Sequence, residues 1–319
     1  MKKNKKLKFV IVSYRQHHGG PIVLHVLCKQ LQNMGYDASV FYYAGGNYRK
    51  GHKLKFWLNY LFFLLKDTIK LLAVKIVGEN RLLTVPVFNG HVNVAIKGCN
   101  RHYFPFVGND TIVVYPEDVY GNFMHAKKVV RWFLYYPNYI DGDYDKNDLF
   151  ICYRTEFNDR GLNPNEIVLQ CQYYNLDLYH RFNYGPRKGL CYIIRKGKNR
   201  NDLPEKFDGV IVDSLSEIDK VKVFNEVEYC VSYDTETAYS RIAALCGCIS
   251  IVMPEKGKSG TYYRKKTPRY GIAYGWDSSE IEFAKNTQHK ILENMEKCNA
   301  DSVKYVRKFV DVCESYFCA

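Results

Sequence analysis

Short, nearly continuous apolar runs alternate with segments of helical periodicity along most of this chain. Strands are predicted for KFVIVS (8–13), DASVFYY (37–43), TIVVYPE (111–117), DLFICYR (148–154), EIVLQCQYY (166–174) and GLCYIIRKG (189–197). Residues 209–255 condense the pattern, because GVIVDS, EYCVSYD and CISIVMP predict three strands separated by two helices. Such runs are typical of parallel strands covered on both faces.

Helical signals fill the intervals between these runs. Residues 20–35 predict a helix with Pro21 at its first position. Ser214 and Glu217 stand at the spacing of a capping box, and Asp234 is expected to cap the helix that ends at Gly247. The segment HAKKVVRWFLYY (125–136) predicts a helix with a basic face, and residues 277–319 predict two helices.

Strands that alternate with helices imply right-handed crossovers and parallel sheets, which bind ligands at the carboxyl ends of their strands. We therefore expect an α/β protein with two Rossmann-like domains facing across a cleft, followed by C-terminal helices. The polar stretch 137–148 is interpreted as the linker between the halves. The expected domains are 1–145 and 146–299, with a final helix at 300–319.

Composition narrows the classes of function. A chain of 319 residues with 47% hydrophobic and 25% charged residues is globular rather than disordered. Its 11 cysteines form no C-x-x-C pair, and no cleavable apolar signal follows the basic N-terminus, so we expect a cytoplasmic protein with buried free thiols, no metal and no cofactor. The net charge of +13 is spread along the chain, which favours diphosphates or a membrane face over nucleic acid.

One segment of the sequence suggests that an anionic membrane surface is a partner. Residues 53–78 are rich in leucine and aromatic residues but are interrupted by charges at 66, 67, 70 and 75. They are therefore unsuited to span a bilayer and suited to lie at its surface, with Phe56, Trp57 and Phe63 inserted. This interpretation makes the protein peripheral at the inner membrane face. The alternative is a buried core helix.

Candidate site residues cluster at the predicted strand ends. The diglycine Gly19–Gly20 precedes a helix, which is a favourable place for an anion, and His17 and His18 adjoin it. Glu117 and Asp118 are candidate bases or helix caps. The basic loop after the 189–197 strand, a phosphate site or a solvated charge run, contains Arg195, Lys196 and Lys198. Asp234, Thr235, Glu236 and Thr237 complete the candidate donor site.

Three segments resemble the GT-B glycosyltransferases, in particular the enzymes that build bacterial capsule and lipopolysaccharide with sugar nucleotides. They are SYRQHHGGPIVLHVLCKQLQNMG (13–35), VVYPEDVYGNFMHAKKVVRWFLYYP (113–137) and SYDTETAYSRIAALCGCISIVMPE (232–255). The first is similar to the diglycine loop and helix that open the acceptor domain. The second is similar to a PE-x-x-x-GN and V-x-R-W segment, and the third to a donor-site helix ending in A-x-C-G.

The resemblance implies a metal-independent transfer of a sugar from a nucleotide-sugar donor to a glycan or lipid-linked acceptor. Retaining members carry two glutamates eight residues apart on the donor helix, where this chain has Asp234 and Ile242. The second carboxylate is missing, so the stereochemistry is open, and Glu236 is an alternative contact for the ribose. Two other functions stay open: a nucleotide-sugar epimerase of the same fold, and a non-catalytic membrane-associated scaffold with a degenerate donor site.

Overall fold

A computed structural model describes residues 7–14, 19–43, 48–49, 51–77, 98–264 and 269–318. The chain divides into two compact units. Unit 1 comprises Met1–Tyr173 and Asn299–Ala319, and unit 2 comprises Tyr174–Cys298. Each unit is built around its own parallel β-sheet, which confirms the predicted α/β class.

The sheet of unit 1 has the strand order β3-β2-β1-β4-β5-β6, with parallel pairing throughout. Its strands are β1 Lys8–Ser13, β2 Asp37–Tyr42, β3 Arg101–His102, β4 Thr111–Pro116, β5 Lys128–Phe133 and β6 Leu149–Cys152. The order reverses between β1 and β4, where Ile11 is paired with Val114. This is the strand order of the doubly wound dinucleotide-binding sheet.

Helices α1 (Gly19–Asn33), α2 (Lys53–Val77) and α7 (Ile291–Cys318) contribute to the two faces of this sheet. On one face, Leu27 of α1 and Phe309 of α7 join the same apolar cluster as Phe9. On the other face, Phe56 of α2 and Phe123 pack into a second cluster. Both faces of the strands are therefore covered, which explains their almost uninterrupted apolar sequence.

The helix predicted over 125–136 is wrong, because β5 runs through this segment between β4 and β6. Arg131 lies inside the sheet layer, almost fully buried. Its Nε donates to Asp148 Oδ2 at 2.8 Å, and its two terminal nitrogens donate to the carbonyls of Val119 and Gly121. The charge that suggested a solvent-facing helix is thus satisfied internally by a partner seventeen residues away.

The division into units differs from the predicted boundary after residue 145. Strand β6 pairs with β5, so residues 137–148 connect two strands of one sheet and are not an interdomain linker. Asp143 in this connection is buried and accepts two hydrogen bonds of 2.6 Å from Arg49. The run 166–174, predicted as a strand, contributes only an isolated bridge between Val168 and Cys152. The expected helix at 300–319 belongs to the longer α7.

The sheet of unit 2 has the order β11-β10-β9-β7-β8, again with parallel pairing. Its strands are β7 Leu190–Ile193, β8 Val210–Ile211, β9 Tyr229–Ser232, β10 Ile249–Val252 and β11 Ile272–Tyr274. The helices are α3 Glu217–Glu226, α4 Tyr239–Leu245, α5 Gly260–Arg264 and α6 Ser278–Thr287, with the start of α7. Counted from β7, this is the 2-1-3-4-5 order, and it reverses between β7 and β9.

The predicted strand–helix–strand–helix–strand pattern of residues 209–255 is confirmed by β8, α3, β9, α4 and β10. Two capping details differ. Ser216, rather than Ser214, caps α3 and accepts the Asp219 N–H at 3.2 Å. Asp234 does not cap α4, because this helix begins at Tyr239 and the Asp234 carboxylate accepts the Glu236 N–H instead. Gly247 follows the end of α4 with a φ of 106°, as the sequence predicted.

Candidate functional site

Each sheet has one position at which the strand order reverses, and these positions define the candidate sites. The connections of the two strands at a reversal leave in opposite directions, which opens a crevice at their carboxyl ends where α/β proteins bind ligands. In unit 1 the reversal lies between β1 and β4, and in unit 2 it lies between β7 and β9. We call these places the unit 1 edge and the unit 2 edge.

The unit 1 edge contains most of the residues predicted for it. Tyr14 follows β1, Glu117 and Asp118 follow β4, and Gly19 and Gly20 are the first two residues of α1. The Tyr14 hydroxyl donates to Asp118 Oδ2 at 2.9 Å, which joins the two strand ends. Burial first, and the nearby Asp118 second, raise the pKa of Tyr14 above its ordinary value. The predicted His17 and His18 lie outside the described residues.

Glu117, one of the predicted bases, has a pKa shifted towards neutrality. Burial of its carboxyl group raises the pKa of Glu117 to about 7, although hydrogen bonds from backbone N–H groups oppose this shift. One of them, from the Leu134 N–H after β5, spans 2.9 Å. A partly buried carboxyl group with such a pKa exchanges protons readily at physiological pH, as a general base must.

A buried histidine connects the elements that form the unit 1 edge. His25 on α1 is fully buried, and its Nδ1 lies 2.7 Å from the Pro21 carbonyl oxygen and 3.4 Å from Ser13 Oγ. Its Nε2 lies 3.2 Å from the Tyr42 hydroxyl. This network links the first turn of α1 to the ends of β1 and β2, and so fixes the diglycine relative to the sheet.

Exposed aromatic rings adjoin Glu117 along the chain that follows β5. Tyr135 and Tyr136 are each more than half exposed, and both pack on Phe157, with ring centroids 5.3 and 5.2 Å apart. The Tyr135 backbone also contributes to the hydrogen bonds that reach Glu117. Aromatic rings that stay in water beside a titratable carboxyl group are suited to stack on a ligand.

At the unit 2 edge, Arg195 and Asp234 bring the ends of β7 and β9 together. Arg195 Nε lies 3.7 Å from Asp234 Oδ2, and Asp234 is buried while Arg195 is partly exposed. The Arg195 guanidinium also lies over the ring of Tyr239, 5.1 Å from its centroid. A cation held on an aromatic face at the end of a parallel strand is available to an anion in solution.

The backbone at Arg195 is held in an unfavourable conformation. Its φ is 40°, in the left-handed region that glycine tolerates better than arginine. The Asp213 carboxylate imposes it by accepting the N–H groups of Ile194 and Arg195, the latter at 2.7 Å. Gly197, two residues on, faces the next strand end so closely that a Cβ there would lie 2.4 Å from the Tyr233 carbonyl oxygen. Strain of this kind is concentrated at functional sites.

Tyr239 is oriented by a polar network that the sequence analysis did not identify. Its hydroxyl donates to Glu217 Oε1 at 2.7 Å, and the same carboxylate accepts hydrogen bonds from Tyr179 and from Lys220 Nζ. Burial acts to raise the pKa of Glu217, but the hydrogen bonds from Lys220, Tyr179 and Tyr239 outweigh it and hold the pKa below its ordinary value. Glu217 therefore carries a stable negative charge that fixes the platform under Arg195.

The other predicted donor-site residues have different surroundings. Thr235 is buried, with Oγ1 3.4 Å from Glu255 Oε1, whereas Glu236 is exposed and lies 3.8 Å from an Arg269 nitrogen. The Thr237 hydroxyl accepts the Tyr239 N–H at 3.3 Å. Lys196 and Lys198 project from the short 3-10 helix Arg195–Asn199 into solvent.

Ile242 of α4 stands where the resemblance leads us to expect a second carboxylate. Its side chain is buried in the apolar core of unit 2, in the cluster that contains Phe224 and Leu245. A glutamate at this position would face the core and could not reach a ligand at the unit 2 edge. In this chain, Glu236 is the exposed carboxylate of the segment between β9 and α4.

Several contributing residues were missed because their sequence signals are weak or nonlocal. Asp213 is the next-to-last residue of the predicted strand GVIVDS, and its sequence context is that of an ordinary loop residue. Arg200 lies just beyond the predicted basic loop and was not singled out, but it donates to the Met253 and Pro254 carbonyls at 2.8 Å and so ties the end of β10 to the loop after β7. The glycine at position 197, between two lysines, was the one local sequence signal that two backbone segments approach closely here.

No protein-family model matches the chain, and no match is found among curated proteins.

The strain at Arg195 can be measured with a pair of substitutions. Arg195→Ala and Arg195→Gly both remove the side chain, but only glycine relieves the positive φ, so we expect the glycine variant to be more stable by about 1 kcal/mol. The measurement is the free energy of unfolding from urea titrations. The same pair at Lys196, inside the 3-10 turn, should give the opposite sign, because glycine there adds only unfolded-state entropy. Equal stability of the two Arg195 variants would contradict the strain.

Proposed function

We propose that the chain is a metal-independent GT-B glycosyltransferase, in which two Rossmann-like domains divide the binding of a nucleotide-sugar donor and of a glycan or lipid-linked acceptor. The observation that carries the proposal is the position of the two strand-order reversals. Arg195 and Asp234 stand at one, and Glu117 stands at the other. Both sets of residues are of the types that this chemistry needs, a cation for the diphosphate and a carboxylate for the proton.

Unit 2 is the proposed donor domain. The diphosphate of the sugar nucleotide is bound by Arg195, whose guanidinium is partly exposed and positioned by Tyr239, with Lys196 and Lys198 adding positive potential. Glu236 accepts hydrogen bonds from the ribose hydroxyls. Asp234 is buried and already pairs with Arg195 and with the Glu236 N–H, so its proposed role is to position these two residues.

Unit 1 is the proposed acceptor domain, and Glu117 is its base. The acceptor hydroxyl oxygen attacks the anomeric carbon as the bond from that carbon to the phosphate oxygen breaks, and the nucleoside diphosphate leaves with the electron pair. Glu117 takes the hydroxyl proton, and Arg195 stabilises the charge on the leaving diphosphate. A single displacement of this kind inverts the anomeric centre. The exposed rings of Tyr135 and Tyr136 supply a stacking surface for an acceptor sugar.

Nucleotide binding is the first test of this function. Among UDP, GDP, CMP and ADP, we expect one nucleotide to raise the melting temperature of the full chain, because a ligand that binds only the folded state stabilises it. Arg195→Ala should remove most of this increase and Glu236→Ala should reduce it. The matched control is Lys222→Ala, which deletes one exposed positive charge elsewhere in unit 2.

Each outcome of the panel is informative. If both donor-site variants keep the wild-type increase in melting temperature, the nucleotide does not bind at Arg195 and Glu236. No shift at millimolar nucleotide would instead favour a non-catalytic scaffold. Conversion of the sugar nucleotide in the absence of any acceptor would favour the epimerase.

The base can be tested through the pH dependence of transfer. Because the pKa of Glu117 is about 7, the ionised fraction rises between pH 6 and pH 8, and the wild-type rate should rise with it. Glu117→Gln cannot take the proton, so we expect the rate of nucleoside diphosphate release to fall by about 100-fold or more and to lose this pH dependence. The melting-temperature shift with nucleotide should persist in this variant.

Glu314→Gln, which neutralises an exposed carboxylate on α7, is the matched control and should leave the rate unchanged. A Glu117→Gln enzyme with the wild-type rate and pH profile would show that another group accepts the proton.

A further inference from the structure

Helix α2 exposes a continuous apolar stripe to solvent. Eight large apolar side chains of this helix are each more than half exposed: Leu54, Leu58, Leu61, Phe62, Leu65, Ile69, Leu72 and Ile76. Their spacing of three and four residues places them on one side of the helix, over a length of about 33 Å. An apolar surface of this extent on a folded protein marks an interaction site.

The opposite side of α2 is already occupied by its own unit. Phe56 and Tyr60 are buried against the sheet in the cluster that contains Phe123. Trp57 packs on the same cluster, and Phe63 packs on the cluster that contains Phe9. The sequence-based expectation that Phe56, Trp57 and Phe63 insert into a membrane is therefore wrong. These residues hold the helix against the sheet, and the eight exposed residues of the stripe form the side that faces solvent.

A second group of exposed aromatic residues lies beside the same helix. The Tyr60 hydroxyl donates to the Tyr103 carbonyl oxygen at 3.2 Å, which fixes the loop after β3 next to α2. In this loop, Tyr103, Phe104 and Phe106 are exposed by 55, 71 and 68%. Exposed aromatic residues next to an apolar helix are typical of proteins that bind at the membrane interface.

The charges of α2 indicate what covers the stripe. Its sequence contains five lysines and one aspartate. Lys55 and Lys66 are exposed and stand three turns apart, so both border the stripe on the side of Phe62. A second copy of the chain would bring like charges together with almost no carboxylate to pair them, whereas anionic lipid headgroups neutralise them. Within the ranges that the structure describes, no helix is long and apolar enough to cross a bilayer.

We propose that α2 lies flat on an anionic lipid surface, with its apolar stripe inserted among the headgroups and the upper acyl chains. The lysines that border the stripe contact lipid phosphates. This inference does not depend on the proposed transferase activity, because the helix, its burial and its charges carry it alone.

Vesicle binding by the full chain tests the proposal. We expect the protein to float with vesicles that contain phosphatidylglycerol in phosphatidylcholine, and to bind pure phosphatidylcholine much more weakly. The combined variant Leu58→Ser, Phe62→Ser and Leu65→Ser should weaken binding to the anionic vesicles by at least about tenfold, because three inserted side chains are lost. Lys55→Gln with Lys66→Gln should cost about tenfold or more on anionic vesicles and nothing on neutral ones.

The matched control removes three exposed large apolar residues elsewhere, through Ile140→Ser, Ile218→Ser and Leu292→Ser, and should bind as the wild type does. Circular dichroism and melting temperature verify that each variant folds, which is expected because none of the substituted side chains is buried. Absence of wild-type binding to both kinds of vesicle would overturn the proposal. So would an unchanged affinity of the stripe variant, or a lipid-independent dimer by light scattering that this variant dissociates.

Discussion

Parallel strand pairing is the constraint on which the rest of this structure depends. Because every described strand pair in both sheets is parallel, all carboxyl ends of a sheet meet at one edge, and every connection must return across a face. The returning segments bury both faces, which requires the long apolar runs seen in the sequence. The carboxyl-end edge of each sheet is therefore formed by loops. The reversal of strand order leaves one crevice among these loops in each sheet. Function in this chain is proposed at those two positions.

The two edges are stabilised by different means. At the unit 1 edge, a hydrogen-bond network of Ser13, His25 and Tyr42 fixes the strand ends, and burial of the Glu117 carboxyl group raises its pKa. At the unit 2 edge, charged groups compensate one another. Asp213 holds the strained backbone of Arg195, and Glu217 holds the ring on which this arginine lies. The first arrangement suits proton transfer and the second suits binding of an anion.

Much of the fold could be predicted from local patterns, since β1, β2, β4, β6, β7, β9 and β10 are apolar runs that the structure largely buries, whereas β8 was predicted as a strand but is exposed. Strand β5 could not, because the burial of Arg131 depends on Asp148, a partner identified only by the folded sheet. The site divides in the same way. Arg195, Asp234 and Glu117 follow strands directly and were found, whereas Glu217 and Asp213 act through contacts between segments distant in sequence.

The central claim is that a nucleotide binds at the strand-order reversal of unit 2. Hydrogen–deuterium exchange of the full chain, with and without the nucleotide that raises its melting temperature, tests this claim most directly. We predict slower exchange in residues 194–199 and 233–238, with little change at the opposite ends of β7 and β9. Protection confined to other segments, or unchanged exchange in both of these, would contradict it.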